Sequence, residues 1–233
     1  MPRRPRIATG GYVYHVLNRG VGRMALFHDD ADYLAFLRIL AKAGEDRPGI
    51  GLLAYCLMPN HWHMVLKPSQ DGQLSDFMRW LTVTHTQRWH AHRQSAGSGP
   101  VYQGRFKSFP VQEDNHCLML LRYVERNALS AGLAAHAQDW RWGSLWQREQ
   151  VKRNAGVLDS GTWPMLASWP VDRPRRWVEM VNRPLSDAQA DAVKRSLHRS
   201  APLGDAAWMT HTARTLSLES TLRPRGRPRK AEA

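Results

Sequence analysis

The stretch that most constrains the fold is IGLLAYCLMPNHWHMVLK, residues 50–67, in which two apolar runs flank a Pro-Asn pair. Each run has the length and composition of a β-strand, and Pro59-Asn60 is typical of a tight turn. The stretch therefore predicts two buried strands, 50–58 and 61–67, that pair back on each other as a hairpin. A buried strand has little use for two histidines, His61 and His63, unless something binds them.

Further elements follow from the same kind of pattern. We predict strands over 11–20 and 105–112, with Pro110 indicating an edge position, and helices over 29–44, 74–94 and 114–132. The resulting order, β-α-β-β-α-β-α, indicates an α+β fold of ferredoxin-like type, an antiparallel sheet flanked by helices.

The composition changes after about Trp146. Tryptophan, proline and arginine become frequent, and two short helical stretches, near 186–199 and 204–216, precede a basic tail. We therefore expect a core domain over 1–150 and a helical, basic C-terminal extension over 151–233.

The charge of the chain indicates its kind of partner. The net charge is +13, and basic residues cluster in PRRPR near the start and RPRGRPRK near the end. Such a surface favours a polyanion, and nucleic acid over a membrane, because no apolar run reaches membrane-spanning length. The start lacks the apolar segment of a signal peptide, and two cysteines make no disulfide framework. We therefore expect a cytoplasmic protein with reduced thiols.

The histidine pair is the first candidate site. Because strand side chains alternate, His61 and His63 lie on one face, about 7 Å apart along the strand, and Trp62 lies on the other. Two imidazoles so placed can share one metal ion, although ordinary hydrogen-bonded histidines are the alternative. A second pair, His90 and His92, falls in a predicted helix, where residues two apart do not face each other.

The helix over 114–132 supplies the second candidate. Its buried stripe is predicted at Cys117, Leu120, Leu121, Val124 and Ala128. Tyr123 and Asn127 are four residues apart and lie together on a neighbouring face. Asn127 offers an amide oxygen as a third metal ligand. Tyr123 offers a phenolic nucleophile, which with a pKa of about 10 needs a metal that polarises a phosphate. An ordinary core tyrosine is the alternative.

These motifs resemble those of the HUH single-tyrosine transposases, and among them the bacterial REP-associated tyrosine transposases. The matching segments are YHVLNRG, YCLMPNHWHMVL, VYQGRFKS, RYVERNALSAGL, WRWGSL and the tail over 201–230. The resemblance covers nearly the whole chain. It departs at NALSAGL, where Ala128 and Ser130 stand in place of the proline and arginine of the family's Asn-Pro-x-Arg-Ala-Gly-Leu, which puts substrate detail in doubt more than chemistry.

The resemblance implies a fold, a reaction and a set of roles. The fold is an antiparallel sheet between helices. The reaction is metal-dependent cleavage of single-stranded DNA, through a 5′-phosphotyrosine that leaves a free 3′-OH and rejoins strands by reversal. Carried over by position, Tyr123 is the nucleophile, and His61, His63 and Asn127 hold Mg²⁺ or Mn²⁺. The partner is single-stranded DNA that forms hairpins at palindromic repeats, and the protein is expected to act as a monomer.

Two other functions stay open at this point. A DNA-binding regulator that has lost catalysis is one alternative, although the presence of all four candidate residues speaks against it. A zinc hydrolase is the other alternative, but it lacks an H-E-x-x-H helix.

Basic and aromatic residues are expected to hold the DNA strand. Arginine and lysine suit phosphates, and tryptophans beside them suit stacked bases. The candidates are Asn18, Arg19, Arg105, Lys107, Arg122, Arg126, Trp140, Arg141, Trp142, Arg225 and Arg227. A plain turn is the alternative for Asn18 and Arg19, and closing the core is the alternative for the tryptophans. The tail RPRGRPRK resembles an AT-hook, with a basic arm that binds any nucleic acid as its alternative.

Overall fold

The structure is a computed structural model that describes residues 8–153, 158–159 and 161–223. Four strands form one antiparallel sheet in the order β2-β3-β1-β4. They are β1 (Val13–Arg19), β2 (Ile50–Met58), β3 (His61–Pro68) and β4 (Lys107–Val111). The α+β fold predicted from the sequence, a ferredoxin-like sheet flanked by helices, is confirmed.

Nine α-helices occur in the described part of the chain. They are α1 (Asp30–Asp46), α2 (Gln73–His92), α3 (Asn115–Glu125), α4 (Asn127–Ser130), α5 (Ser144–Arg153), α6 (Trp177–Asn182), α7 (Asp187–Arg199), α8 (Ala206–Thr215) and α9 (Glu219–Leu222). Short 3₁₀ turns lie at Val21–Arg23 and Ala137–Asp139. No helix of the described residues is long and apolar enough to cross a membrane.

The predicted hairpin forms one half of the sheet, with β2 at the edge and β3 inside. Strands β2 and β3 pair antiparallel around the Pro59-Asn60 turn, with Met58 opposite His61 and Leu57 opposite Trp62. Strand β4 lies at the sheet edge, as Pro110 predicts, since a proline has no N–H to donate to a further strand. The backbone at Leu203 covers this edge by hydrogen-bonding to the Pro110 carbonyl.

The sheet is covered on both faces. One face packs on α1 and α2 through side chains that include Tyr55, Trp62, Phe36 and Phe77. The other face packs on α3, α6 and α7 through Val65, Phe109, Leu120, Trp177 and Val193. Because both faces are buried, strand alternation decides which helical layer each strand side chain meets.

The predicted helix over 114–132 is two helices in the structure. Helix α3 begins after Asp114, whose side chain accepts from the backbone N–H of His116, and it ends at Glu125. Arg126 interrupts it with φ −85° and ψ −8°, which is more open than an α-helix, and α4 follows. The segment closes near Gly132, which has φ +70°, a conformation that favours glycine.

The predicted stripe of α3 and α4 is confirmed. Cys117, Leu120, Leu121, Val124 and Ala128 are all fully buried.

The extension after residue 150 packs against the core. Helices α7 and α8 correspond to the two helical stretches predicted near 186–199 and 204–216. Trp177 of α6 and Val193 of α7 belong to the same apolar cluster as the sheet and α3. The domain boundary at residue 150 stays a prediction, but the helices beyond it contribute to the layer that carries Tyr123.

Candidate functional site

Two neighbouring strands bring three histidines to one face of the sheet. Strands β1 and β3 pair so that His63 lies opposite Leu17, and His15 lies opposite Val65 two residues further on. The His61 and His63 rings lie with centroids 5.1 Å apart and planes at 77°. Trp62 points into the opposite layer, as alternation predicts.

Each histidine of the pair is held at its Nδ1 atom. His61 Nδ1 lies 2.7 Å from Asn60 Oδ1, and His63 Nδ1 lies 2.9 Å from His15 Nε2. His15 is itself stacked on Phe109, with ring centroids 4.9 Å apart. In both rings the Nδ1 edge therefore has a protein partner, and Nε2 is the nitrogen left for a ligand.

Burial keeps these imidazoles neutral. Burial, followed by the charge of Arg19, which is opposite His61 on β1, lowers the pKa of His61 to about 4. Burial, followed by His15 and His61, holds the pKa of His63 well below its usual value. Neutral imidazole is the form that binds a metal ion, so both rings are ready to ligate at neutral pH.

Helix α3 places the tyrosine against the histidine pair. The Tyr123 ring meets the His63 ring edge to face, with centroids 5.9 Å apart. Burial raises the pKa of Tyr123, and a side-chain hydrogen bond with Asn127, at the start of α4, partly offsets the rise. The structure thus brings together the four residues that the sequence singled out, from β3, α3 and α4.

The donor set fits one divalent cation. Two neutral imidazoles and an amide oxygen suit a small cation that completes its shell with water or phosphate oxygens. No group of three or more His, Cys, Asp or Glu side chains in the described part of the chain is arranged to hold a metal. A metal at this site would therefore need Asn127 or the substrate in addition to the histidines.

Two of the predicted DNA-binding cations lie on the histidine face of the sheet. Arg19 is opposite His61 and donates two hydrogen bonds to Gln103 Oε1, at 3.1 and 2.7 Å. Lys107, opposite Leu17, is exposed at the start of β4, and Arg105 is exposed just before it. Asn18 is buried within β1, and its side chain donates to the Gly104 carbonyl, so its DNA contact stays a prediction.

Arg122 and Arg126 connect helix α3 and the start of α4 to the C-terminal extension. Arg122 donates to the backbone carbonyls of Arg183 and Pro184, and Arg126 donates to those of Val181 and Asn182. Both guanidinium groups are thus engaged within the protein, at the end of α6, and their DNA contacts stay predictions.

The tryptophans near residue 140 differ in their surroundings. Trp142 is buried and stacks on Tyr33 with ring centroids 4.6 Å apart, which fits the core-closing alternative. Trp140 is partly buried and donates to the Leu57 carbonyl. Arg141 lies over the Trp142 ring and 3.5 Å from Asp30. Arg225 and Arg227 lie outside the described residues.

Two partners of the site were not found from the sequence. His15 lies in YHVLNRG, but its contact with His63 depends on the register between β1 and β3, which no local pattern reveals. Glu125, two residues after Tyr123, accepts hydrogen bonds from Ser144 and Trp177. An acidic residue inside a buried helical stripe was the available signal for Glu125.

Comparisons with known proteins bear on the family and the fold of the chain. Residues 9–127 match the family described as "Transposase IS200 like". A solved REP-associated tyrosine transposase bound to a REP hairpin is similar in fold, with a TM-score of 0.50 and 18% identity over 79% of this chain and 98% of the other. A putative transposase from Deinococcus radiodurans R1 has 22% identity over 53% of this chain and 96% of its own, with a TM-score of 0.36. No curated protein matches the chain.

Proposed function

The chain belongs to the IS200-like transposase family, and we propose that it nicks and rejoins single-stranded DNA through a covalent link to Tyr123. The observation that carries the proposal is the Tyr123 ring, which lies edge to face against His63 with centroids 5.9 Å apart. A nucleophile beside two neutral imidazoles is the arrangement that metal-assisted phosphoryl transfer needs.

The proposed step exchanges one phosphodiester for another. Tyr123 Oη bonds to the phosphorus, the bond from phosphorus to O3′ breaks, and the strand downstream of the nick stays on the tyrosine through its 5′-phosphate. The phenol proton leaves Oη, and a proton completes the released 3′-OH. Attack by another 3′-OH reverses the step and rejoins strands, so no nucleotide cofactor is consumed.

The chain's own residues would position and activate this step. Bound at His61, His63 and Asn127, Mg²⁺ or Mn²⁺ would stabilise the negative charge that develops on the phosphate. Because burial raises the pKa of Tyr123, the hydroxyl is protonated at neutral pH and must lose its proton during attack.

The proposed substrate is DNA that folds into hairpins at palindromic, REP-like repeats. The net charge of +13 favours a nucleic acid, and Arg19 and Lys107 lie beside the histidine face, where the strand would pass. The similar solved transposase was bound to a REP hairpin, which supports the same class of substrate here. We further propose that the protein acts as a monomer in the cytoplasm, where its genomic substrate lies.

Covalent capture tests the proposal. Purified protein is mixed with Mg²⁺ or Mn²⁺ and labelled single-stranded hairpin repeats, and a denaturing gel shows whether label travels with protein. We expect an adduct with the wild type and with the control Tyr12→Phe, whose ring lies near Trp208 and away from the histidines, but none with Tyr123→Phe.

Two outcomes would contradict the proposal. Tight binding of the same DNA without any adduct or cleavage would indicate a DNA-binding regulator. Cleavage that survives Tyr123→Phe would indicate water as the nucleophile.

A further inference from the structure

The Nδ1 partners of the two histidines have a consequence for the metal site. We propose that His15 and Asn60 are positioning residues that keep the ring proton of His63 and of His61 on Nδ1, so that both Nε2 lone pairs are free for one cation. The inference rests on the proposed function for its metal, but the tautomers themselves can be measured without one.

The tautomer of His61 follows from the Asn60 amide. One amide atom of Asn60 lies 3.2 Å from the backbone carbonyl oxygen of Arg23, and a carbonyl only accepts, so that atom is the nitrogen. The other amide atom, 2.7 Å from His61 Nδ1, is then the oxygen, which also only accepts. His61 must therefore donate from Nδ1, and in a neutral imidazole this leaves the lone pair on Nε2.

The His15–His63 contact allows two arrangements of one proton. If His15 Nε2 donates, His63 carries its proton on Nε2 and cannot ligate there. If His63 Nδ1 donates, its Nε2 has the free lone pair. Only the second arrangement lets His63 bind, through Nε2, the same metal ion as His61.

Because both rings are buried, protein contacts and not water determine which ring donates in this hydrogen bond. His15 is 1% exposed and His63 is 3% exposed, so bulk water does not replace the bond between them. The stack of His15 on Phe109 holds the orientation of the His15 ring, and the 2.9 Å distance holds its Nε2 against His63. The His63 ring also lies near His61, the other proposed ligand, and Tyr123, the proposed nucleophile, with centroids 5.1 and 5.9 Å away. A metal-binding histidine commonly has such a partner on its other nitrogen, and losing it costs about 10- to 100-fold in metal affinity.

Two variants of His15 separate this role from simple packing. His15→Gln keeps a side-chain oxygen that can accept from His63 Nδ1, whereas His15→Leu fills the space without an acceptor. Asn60→Ala is the matching variant for His61, and its effect should be smaller because water can reach the half-exposed Asn60. Circular dichroism and thermal unfolding establish that each variant is folded.

The first measurement is ¹⁵N NMR of the imidazoles in metal-free protein. We expect the His63 proton on Nδ1 in the wild type and in His15→Gln, and a loss of that preference in His15→Leu. A wild-type His63 with its proton on Nε2 would overturn the inference.

The second measurement is Mn²⁺ affinity, followed by the electron paramagnetic resonance of the free ion. We expect His15→Leu to bind Mn²⁺ about 10- to 100-fold more weakly than the wild type, and His15→Gln to recover most of the loss. Equal affinity in His15→Leu and the wild type would overturn the positioning role. Failure of the wild type to bind Mn²⁺, with the His63 proton on Nδ1, would instead overturn the metal in the proposed function and leave the tautomer assignment standing.

Discussion

Glu125 is the buried charge that joins the tyrosine helix to the C-terminal extension, and its removal should strongly destabilise the protein. The carboxylate is 3% exposed. It accepts from the Ser144 hydroxyl at 2.7 Å and from the Trp177 indole N–H at 2.6 Å. Burial raises the pKa of Glu125, while these two donors and the charges of Arg148 and Arg173 counteract the rise.

The magnitude follows from those contacts. A hydrogen bond to a charged group contributes about 1.5–3 kcal/mol, so the two bonds together represent about 3–6 kcal/mol. Glu125→Ala would lose both, leave the buried Ser144 and Trp177 donors without their acceptor, and open a cavity. Removal of the charge offsets part of the loss, because a buried carboxylate is costly to desolvate. We expect the free energy of unfolding to fall by about 3–5 kcal/mol, out of a typical total of about 5–15 kcal/mol.

The assay is urea unfolding followed by far-ultraviolet circular dichroism, with Glu179→Ala as the matched control. Glu179 also has arginine partners, Arg176 and Arg183, but its side chain is 50% exposed, so the same substitution should lower the free energy of unfolding far less than Glu125→Ala does. The loss of unfolding free energy in Glu125→Gln should lie between those of the two alanine variants, because the amide oxygen can still accept from the Trp177 N–H. The reasoning would be refuted by a Glu125→Ala loss no larger than that of Glu179→Ala.

Three further predictions concern other buried groups. Burial lowers the pKa of His85 to about 3, below its value of about 6.5 in the unfolded chain, so its contribution to stability is present above pH 6.5 and is lost as the pH falls. At pH 5 this loss is about 2 kcal/mol. The free energy of unfolding of His85→Phe should therefore fall less between pH 7 and pH 5 than that of the wild type, by about 2 kcal/mol. The same pH profile in both proteins would contradict this prediction. Burial raises the pKa of Cys56 and of Cys117 to about 12, so a thiol reagent at pH 8 should modify neither until denaturant is added, and rapid labelling of the native protein would be the contrary result. Trp142→Ala should lower the free energy of unfolding by about 3–5 kcal/mol, because the indole ring is buried against Tyr33. A fall in DNA affinity without a loss of stability would support the base-stacking interpretation instead.

Local patterns were sufficient for the elements and their buried faces. Residues 50–58 and 61–67 predicted the hairpin closely, because its apolar runs and its Pro-Asn turn are all local signals. The same holds for the shared face of His61 and His63, which depends only on strand alternation. The break of the last core helix at Arg126 was not predicted, because the residues on either side of it continue one helical stripe.

For side chains that suit two roles, the sequence did not decide which role applies. Trp142 suits a core or a stacked base equally well, and the structure buries it on Tyr33. Arg122 and Arg126 looked like phosphate-binding residues, and in the structure they donate to backbone carbonyls at the end of α6. Both cases depend on where a distant segment packs, which composition and spacing do not encode.

The sequence by itself therefore determined the fold class, the face that carries His61 and His63, and the family. Each of these depends on residue patterns within a short stretch or on short sequence motifs. Only the tertiary structure decided which groups support that face. The contact of His15 with His63 spans 48 residues, and that of Glu125 with Trp177 spans 52. Such contacts arise from strand register and from the packing of the extension, and the buried polar groups take whichever partners that packing brings within hydrogen-bond distance.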